Sequence, residues 1–332
     1  MQFFAKIART SRRMQAVRLF FVCRWRLLLT ALIATLMAWK QIFCLCAIVY
    51  NYSYWVLFYS TVKIAAPQEL SSNSLAPKIL HQTWRDESVP IKWKNAQASC
   101  KSMYDDYEYQ FWTDASALEL IKQRFPWFLE TYNAYPYNIQ RADAMRYFIL
   151  FEYGGMYLDL DVQCTKKLDY LRDYNFTAPK TYPIGFSNDV LVAKPGDPFL
   201  FHLIHNLHFW SRWFAVKYAT VMFSTGPMFV TVQYSLFDKK KGVTLLPSEV
   251  YGKYMQGPDS AFIHLRGSSW HGQDAKFVFW IERYWIQLSV FGGLVFLIAA
   301  LSLFRIYNTQ SKQNHRVVEV GSAHTISLNN AG

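Results

Sequence analysis

The chain has 332 residues, is 52% hydrophobic and only 17% charged, and carries a formal net charge of +12 at pH 7. That length and composition suit one catalytic-sized domain with apolar segments attached, and lean toward a membrane protein. The basic excess excludes a nucleic-acid partner once it is located: residues 1–63 carry nine Lys or Arg and no acid, residues 305–332 a net +2, and the stretch between only +1, so the central part has no basic face for a phosphate backbone.

In chain order, the run from Leu27 to Val62 is mainly apolar or aromatic, with Lys40, Gln41 and Asn51 inside it. It is too long for one membrane span of about 20 residues and too short for two with a loop. The expectation is a transmembrane helix over 41–62 after a basic cytoplasmic or juxtamembrane segment, 1–40. In that reading residues 19–39 are an amphipathic approach, or the real span with the remainder interfacial. No cleaved signal peptide is expected, because the apolar run starts late and lacks a small-residue cleavage site. Residues 63–76 are small and polar, as a stem would be.

A strand is predicted over 77–84, a helix over 92–103 and a strand over 107–112. Asp114 is the expected N-cap of a helix to about Arg124, and Pro126 opens another short helix. Residues 138–153 have a helical pattern that Gly154-Gly155 ends as a left-handed cap. Strands follow over 156–160, 189–194 and 243–246, with helices over 198–213 and 227–237. This alternation predicts an α/β sandwich for the domain at 77–283. A second span covers 284–304, and a basic cytoplasmic tail covers 305–332. Basic residues at both ends place both termini on the cytoplasmic side and the domain in a lumen. Cys100 and Cys164 fall in that domain, as a disulfide or as two buried thiols. Asn175-Phe-Thr177 is a glycosylation acceptor sequence.

The chemistry concentrates in Asn138–Asp161. Asp159 and Asp161 are two apart at the end of a strand, so alternation aims both carboxylates into one cleft while Leu158 and Leu160 go to the core. Clefts in open α/β sheets form at such strand ends. Two close carboxylates suit a cation between them, and hard oxygen ligands suit Mg²⁺ or Mn²⁺ gripping a diphosphate. Asp143 and Arg146 share a helix face, which reads equally as an internal salt bridge or as ligand contacts. Gly267-Ser-Ser-Trp-His271 offers an indole N–H, hydroxyls and an imidazole, or else an aromatic anchor at a membrane interface. Trp84, at a strand end, is placed for a nucleobase to stack on. His202, His205 and His208 lack an accompanying carboxylate and read as a helix face rather than a metal comb.

Four stretches together resemble glycosyltransferase family 32: Lys78-Ile-Leu-His-Gln-Thr-Trp84, Tyr109-Gln-Phe-Trp-Thr-Asp114, Ile139-Gln-Arg-Ala-Asp-Ala-Met-Arg-Tyr147 and Gly154-Gly-Met-Tyr-Leu-Asp-Leu-Asp161. Ser187-Asn-Asp-Val190, Ser224-Thr-Gly-Pro227 and the Gly267–Phe277 segment narrow the likeness to inositol phosphorylceramide mannosyltransferases within it. The resemblance implies a GT-A fold flanked by transmembrane helices. It implies transfer of mannose from GDP-mannose to inositol phosphorylceramide with retention, a Golgi address and a multi-span regulatory membrane subunit. It assigns Asp159, Asp161, Ser268 and His271 to a Mn²⁺ or Mg²⁺ ion. It assigns Trp84, Asp143, Arg146, Asn188, Ser268, Ser269 and Trp270 to the donor. Asp143, Arg146, Asp189 and Trp270 fall in the catalytic set, with Asp189 the carboxylate for a double displacement if one operates. Val162-Gln163 depart from the acid and glycine expected after the second aspartate. The alternatives are a Golgi α-mannosyltransferase of the same family acting on protein N-glycans, or a non-catalytic membrane subunit.

Overall fold

The computed structural model describes residues 2–58, 62–66, 74–181, 184–265, 267, 271–281, 283–284, 287, 290–292, 294–295, 297–302 and 304, without the side chains of 2–23, 34–38 and 241. The chain divides into two units, Met1–Trp270 and His271–Gly332. In the second, residues 273–281 are helical and a short apolar helix covers Val290–Ser302. The span expected over 284–304 lies partly outside the described residues, as does the tail over 305–332.

The first unit is built on a seven-stranded sheet. Its strands are β1 (Lys63–Ile64), β2 (Ile79–Thr83), β3 (Glu108–Trp112), β4 (Gly155–Leu158), β6 (Phe176–Pro179), β7 (Val190–Ala193) and β8 (Val243–Leu246), while β5 (Val162–Cys164) pairs separately with β9 (Phe262–His264). The sheet order is β1-β8-β6-β7-β4-β2-β3. All its pairings are parallel except those of β7, which runs antiparallel to β4 and β6. Central strands are buried on both faces, as their Val, Leu and aromatic content dictates. Alternation splits them between two cores: Leu191 and Ala193 face one, Val190 and Val192 the other.

Helices α3 (Asp114–Arg124), α5 (Asn138–Tyr153), α6 (Pro198–Trp210) and α8 (Pro227–Leu236) share the first core with the end of α1 (Gln2–Phe58). α2 (Ile91–Met103) contributes Cys100 to the second core, beside β5 and β9. α4 (Leu129–Ala134), α7 (Lys217–Ser224) and α9 (Ser248–Tyr251) complete the helices.

Most predicted elements form within a residue or two, and the exceptions have physical causes. Thr113, not Asp114, is the N-cap of α3: its hydroxyl accepts the Ser116 N–H, and Ser116 Oγ accepts the Thr113 N–H. Asp114 takes the first helical position, where an acid favours the helix dipole. Gly154 has φ 66° and ψ −163°. That is a mirror-extended conformation, open mainly to glycine, rather than a left-handed helix cap. A Cβ on Gly155 would meet the Ile79 carbonyl at 2.6 Å, so this turn needs both glycines.

The expected stem is partly folded. β1 joins the sheet beside β8, and the Leu75 and Ala76 N–H groups donate to the Arg172 carbonyl. Thr177 of the glycosylation sequence is 2% exposed inside β6, while Asn175 precedes the strand and is half-buried. Cys100 and Cys164 form a disulfide that fastens α2 to β5. Among the described residues one helical stretch, Trp39–Phe58, is long and apolar enough to cross a membrane by length and composition. It lies two residues ahead of the predicted span at its start and ends at the last described residue of α1.

His81 locks the glycine turn. Its Nδ1 accepts the Trp112 indole N–H at 3.1 Å, so its Nε2–H donates to the Gly154 carbonyl at 2.8 Å. Burial holds this imidazole neutral, with its pKa pushed down to about 4. An unfolded chain protonates the same group near pH 6.5, so its contribution to stability is full above that value and lost as pH falls toward 4. From pH 6.5 to 4 the loss is about 3 kcal/mol. Chemical denaturation at a series of pH values should show His81→Gln to be less stable at neutral pH and to lack this part of the acid slope. An unchanged slope would contradict the tether.

Candidate active site

Four carboxylates and two cations meet where β4 and β7 adjoin. β4 stops at Leu158, so Asp159 and Asp161 lie in the turn beyond it and not on strand positions. Strand alternation is therefore not what aims Asp161. The turn is held by the Asp159 N–H on the Asp189 carbonyl, the Val162 N–H on the Asp159 carbonyl and the Leu265 N–H on the Asp161 carbonyl, each at 2.8–3.0 Å. Leu160, between the two aspartates, is buried as expected.

Arg146, 3% exposed on α5, lies behind this turn. Its Nη2 meets Asp143 Oδ1 at 2.9 Å, and its Nη1 donates to the Asn188 carbonyl at 2.6 Å and lies 3.2 Å from Asp159 Oδ1. The guanidinium also lies 4.9 Å from the Tyr157 ring centre. Asp143 receives two further hydrogen bonds, from Asn188 Nδ2 at 3.1 Å and Thr225 Oγ1 at 3.2 Å. Burial nevertheless pushes the Asp143 pKa up to about 6. Tyr157 donates to Asp159 Oδ1 at 2.7 Å, and Thr83 Oγ1 lies 2.9 Å from the same hydroxyl.

Asp189 sits on the other flank. Its carboxylate accepts from Tyr251 Oη at 2.6 Å, Ser187 Oγ at 2.8 Å and Lys253 Nζ at 2.9 Å, with His264 Nδ1 at 3.5 Å. Burial would raise this group, but Lys253 and His264 together hold its pKa well below the carboxylate range. Lys253 and Tyr251 were not singled out from the sequence. Gly252, with φ 77°, makes the turn that brings Lys253 round to Asp189.

Asp161 differs from the other three. Among the described residues its carboxylate makes no hydrogen bond or ion pair. Burial, then the charges of Asp159 and Asp189, push its pKa up to about 7. With all four acids ionised, Arg146 and Lys253 leave the cluster at a net −2, the charge one divalent cation cancels. Among the described residues no three His, Cys, Asp or Glu side chains gather as a metal-ligand set. The donor set therefore fits an ion held by one or two carboxylates and completed by phosphate oxygens and water, the habit of Mg²⁺ and its relatives. Gly267 makes the cradle: a Cβ there would fall 1.7 Å from Asp161 Oδ2.

Of the remaining predicted residues, Trp84 is the one that can be placed against the cluster. Trp84 follows β2, which is parallel to β4, so it lies at the same edge of the sheet. Its backbone N–H donates to the Trp112 carbonyl, and its indole Nε1 is buried without a hydrogen-bond partner among the described residues. Ser268, Ser269 and Trp270 lie outside the described residues, and His271 begins the second unit. The three α6 histidines diverge: His208 Nδ1 lies 2.8 Å from Thr131 Oγ1, His205 stacks on Trp127, and His202 packs against Phe199 and Phe237. Val162-Gln163 form the start of β5, so the departure in sequence is absorbed by strand pairing with β9. An open cavity of about 570 Å³ beside β3, lined by Glu87, Lys94, Gln97 and Tyr109 among others, includes none of the four acids.

Residues 90–177 match the family described as "Glycosyltransferase sugar-binding region containing DXD motif". Two proteins of Schizosaccharomyces pombe are similar over most of the chain. Inositol phosphoceramide mannosyltransferase 1 is 39% identical over 75% of this chain and 78% of its own length. Inositol phosphoceramide mannosyltransferase 3 is 42% identical over 71% and 68%. A mannosyl phosphorylinositol ceramide synthase of Saccharomyces cerevisiae is 38% identical over 70% and 62%. Among solved structures, the PaToxG glycosyltransferase is 15% identical, with a TM-score of 0.37 over 59% of this chain and 79% of that one.

Gly267→Ala tests the cradle. The new methyl group collides with the Asp161 carboxylate, 1.7 Å from Oδ2 and 2.7 Å from Cγ, and turns that side chain out of place. Metal affinity should fall about 10–100-fold, read by titrating Mn²⁺, while the melting temperature stays near that of the parent. Unchanged affinity would separate Gly267 from the site.

Proposed function

Because the chain belongs to the inositol phosphoceramide mannosyltransferases of glycosyltransferase family 32, we propose that this site moves mannose from GDP-mannose to inositol phosphorylceramide. The observation that carries the reading is the pairing of an unpartnered carboxylate, Asp161, with a braced one, Asp159, in a cluster short of two positive charges. Such a cluster invites a divalent cation together with the diphosphate of a nucleotide-sugar. A GT-A form of the α/β fold, a Golgi address and a lumenal domain are parts of the same proposal. The disulfide in the domain accords with an oxidising lumen.

Asp159 and Asp161 would hold the ion, Mn²⁺ or Mg²⁺, with Ser268 and His271 as further ligands drawn from the family pattern. When bound, the ion supplies positive charge against the oxygens of the departing diphosphate. The chain's own residues set up the rest. Burial pushes the Asp159 pKa up and Arg146 opposes that shift. Arg146 also aims the carboxylate and reaches the donor through it, since both of its terminal nitrogens are already engaged. Asp143 and Asn188 form the floor beside it, within reach of the donor sugar or ribose. Trp84 would stack on the guanine, and Trp270 would donate its indole N–H to the β-phosphate. Donors aimed at developing charge commonly contribute about 3–4 kcal/mol each.

Retention leaves two routes. A double displacement needs a carboxylate with a free lone pair beneath the anomeric carbon. Asp189 is a poor attacking group, because Tyr251, Ser187 and Lys253 already occupy its oxygens and its basicity is low. The front-face route needs no such group and is the one proposed: the inositol hydroxyl enters on the side from which GDP leaves, passing its proton to a phosphate oxygen. Asp189 then serves as a brace for Lys253 and for the Asp159 turn. A membrane-held regulatory subunit is part of the proposal by family likeness.

The deciding assay gives the full-length protein, in membranes, labelled GDP-mannose with inositol phosphorylceramide or with a core N-glycan. Label should enter the lipid, and incorporation only into the glycan would overturn the acceptor assignment. Asp161→Ala should lower turnover by roughly 100-fold or more, and near-parental activity would defeat the metal-diphosphate reading.

A further inference from the structure

α1 raises a question that hydropathy leaves open. Its stretch Trp39–Phe58 has the length and composition of a membrane span. Yet one face of it belongs to the main core of the domain. Cys44, Ala47, Asn51 and Trp55 recur at helical spacing and are each no more than 5% exposed. Trp39 and Phe43 both pack on Phe209 of α6, with ring centres 5.8 and 5.4 Å apart. Sixteen residues further on, Trp55 packs on Phe186 and on Tyr234 of α8, at 5.5 and 5.7 Å. The contacts therefore run along about 24 Å of helix. Lys40 lies over Phe209 near one end and Lys240 over Tyr54 near the other.

A helix bound this way cannot cross a bilayer alone. Crossing would take the flank of α6 and α8 into hydrocarbon with it, along with Lys40, Arg212 and Lys240. The opposite face of the helix is apolar and open: Leu45, Val49, Tyr52 and Val56 are 56–68% exposed. Phe43, 45% exposed, carries the apolar side over to Phe209 of α6, where Phe201 (52% exposed) packs on His205, itself stacked on Trp127, and where Trp213 (71% exposed) follows the helix. Trp and Tyr with apolar bodies and polar tips favour the headgroup boundary. Lys40 and Arg212 lie over Phe209 and Lys240 over Tyr54, cations placed on this side of the domain to meet an anionic lipid surface.

We infer that the outer face of Trp39–Phe58 and the aromatic rim of α6 form one seat in the membrane interface. The helix lies along the bilayer plane there and holds the domain against it. A true crossing, if α1 makes one, then belongs to the residues before Trp39. The seat would bring a cleft that consumes a lipid acceptor down to the headgroup level. This last consequence rests on the proposed function, whereas the seat itself does not.

The test uses the full-length protein with Cys23, Cys44 and Cys46 replaced by Ala. Single spin labels go at Val49, Phe201 and Trp213, in phosphatidylcholine vesicles containing phosphatidylserine. All three labels should gain accessibility to oxygen relative to a nickel chelate and report depths of about 5–10 Å. Val49 at the bilayer centre with Phe201 and Trp213 in water would overturn the seat in favour of a crossing helix. Val49 shielded from both relaxants would overturn it in favour of a protein cover. A Phe201→Asp, Trp213→Asp variant should transfer mannose to vesicle-borne acceptor several-fold more slowly while hydrolysing donor at the parental rate. Equal transfer by variant and parent would count against the seat. Lost donor hydrolysis in the parent would count against the proposed reaction and leave the label depths to be judged alone.

Discussion

A single buried guanidinium organises the site. Arg146 joins three elements that are distant in sequence: its own helix α5 through Asp143, the turn after β4 through Asp159, and the approach to β7 through the Asn188 carbonyl. A charge this deep is tolerable only with its partners in place, and theirs with it. Removing one side of such a buried pair commonly costs about 3–5 kcal/mol, because the survivor stays ionised in a poor solvent. The planar fork also fixes direction, which the point charge of a lysine does not. Asp159 is therefore placed by the same contact that opposes the upward push of burial on its pKa.

Around this brace the construction is asymmetric. Asp143, Asp159 and Asp189 each have named partners, while Asp161 is crowded by negative charge and by the glycine at 267. Support and reactivity are thus divided among residues of the same type. The support reaches well beyond the motif. β5 and β9 pair behind the turn, the Leu265 N–H closes it, and the Cys100–Cys164 disulfide ties β5 to α2. The disulfide closes a loop that contains Asp143, Arg146, Asp159 and Asp161, so the acids are held within a covalently bounded segment.

Much of this was legible in the residues, for physical reasons. Helix α5 carries a long apolar pattern before a glycine pair, and β7 (Val190-Leu-Val-Ala193) and β8 (Val243-Thr-Leu-Leu246) are compact, mostly aliphatic segments, so their signals are strong. The aspartates were legible as a pair because of what precedes them. Their geometry was not: β4 ends one residue before Asp159, so hydrogen bonds in a turn aim them, and no periodicity reports those. The two-residue strand at Lys63 and the three-residue strands at Val162 and Phe262 are too short to carry an alternation signal. β1 exists because the longer β8 offers a free edge, and β5 and β9 exist because each pairs with the other. Lys253 was invisible for a similar reason, since its meaning depends on Asp189, which is distant in sequence. Asn175-Phe-Thr177 shows the converse, a clear local pattern whose third residue is buried in a strand.

The insertion of β1 beside β8 and the burial of Trp55 in the main core have a practical consequence for producing the protein. Workers often excise a hydrophobic leader to obtain a soluble catalytic fragment. Here a version beginning near Ile64 would strip the cover from α8, leaving Phe186 and Tyr234 bare and an edge of the sheet unpaired. Such a fragment would be expected to clump or misfold for reasons unrelated to its chemistry. Its inactivity would say nothing about the enzyme, so expression should keep the helix and supply a detergent or lipid mimic to wet its outer side.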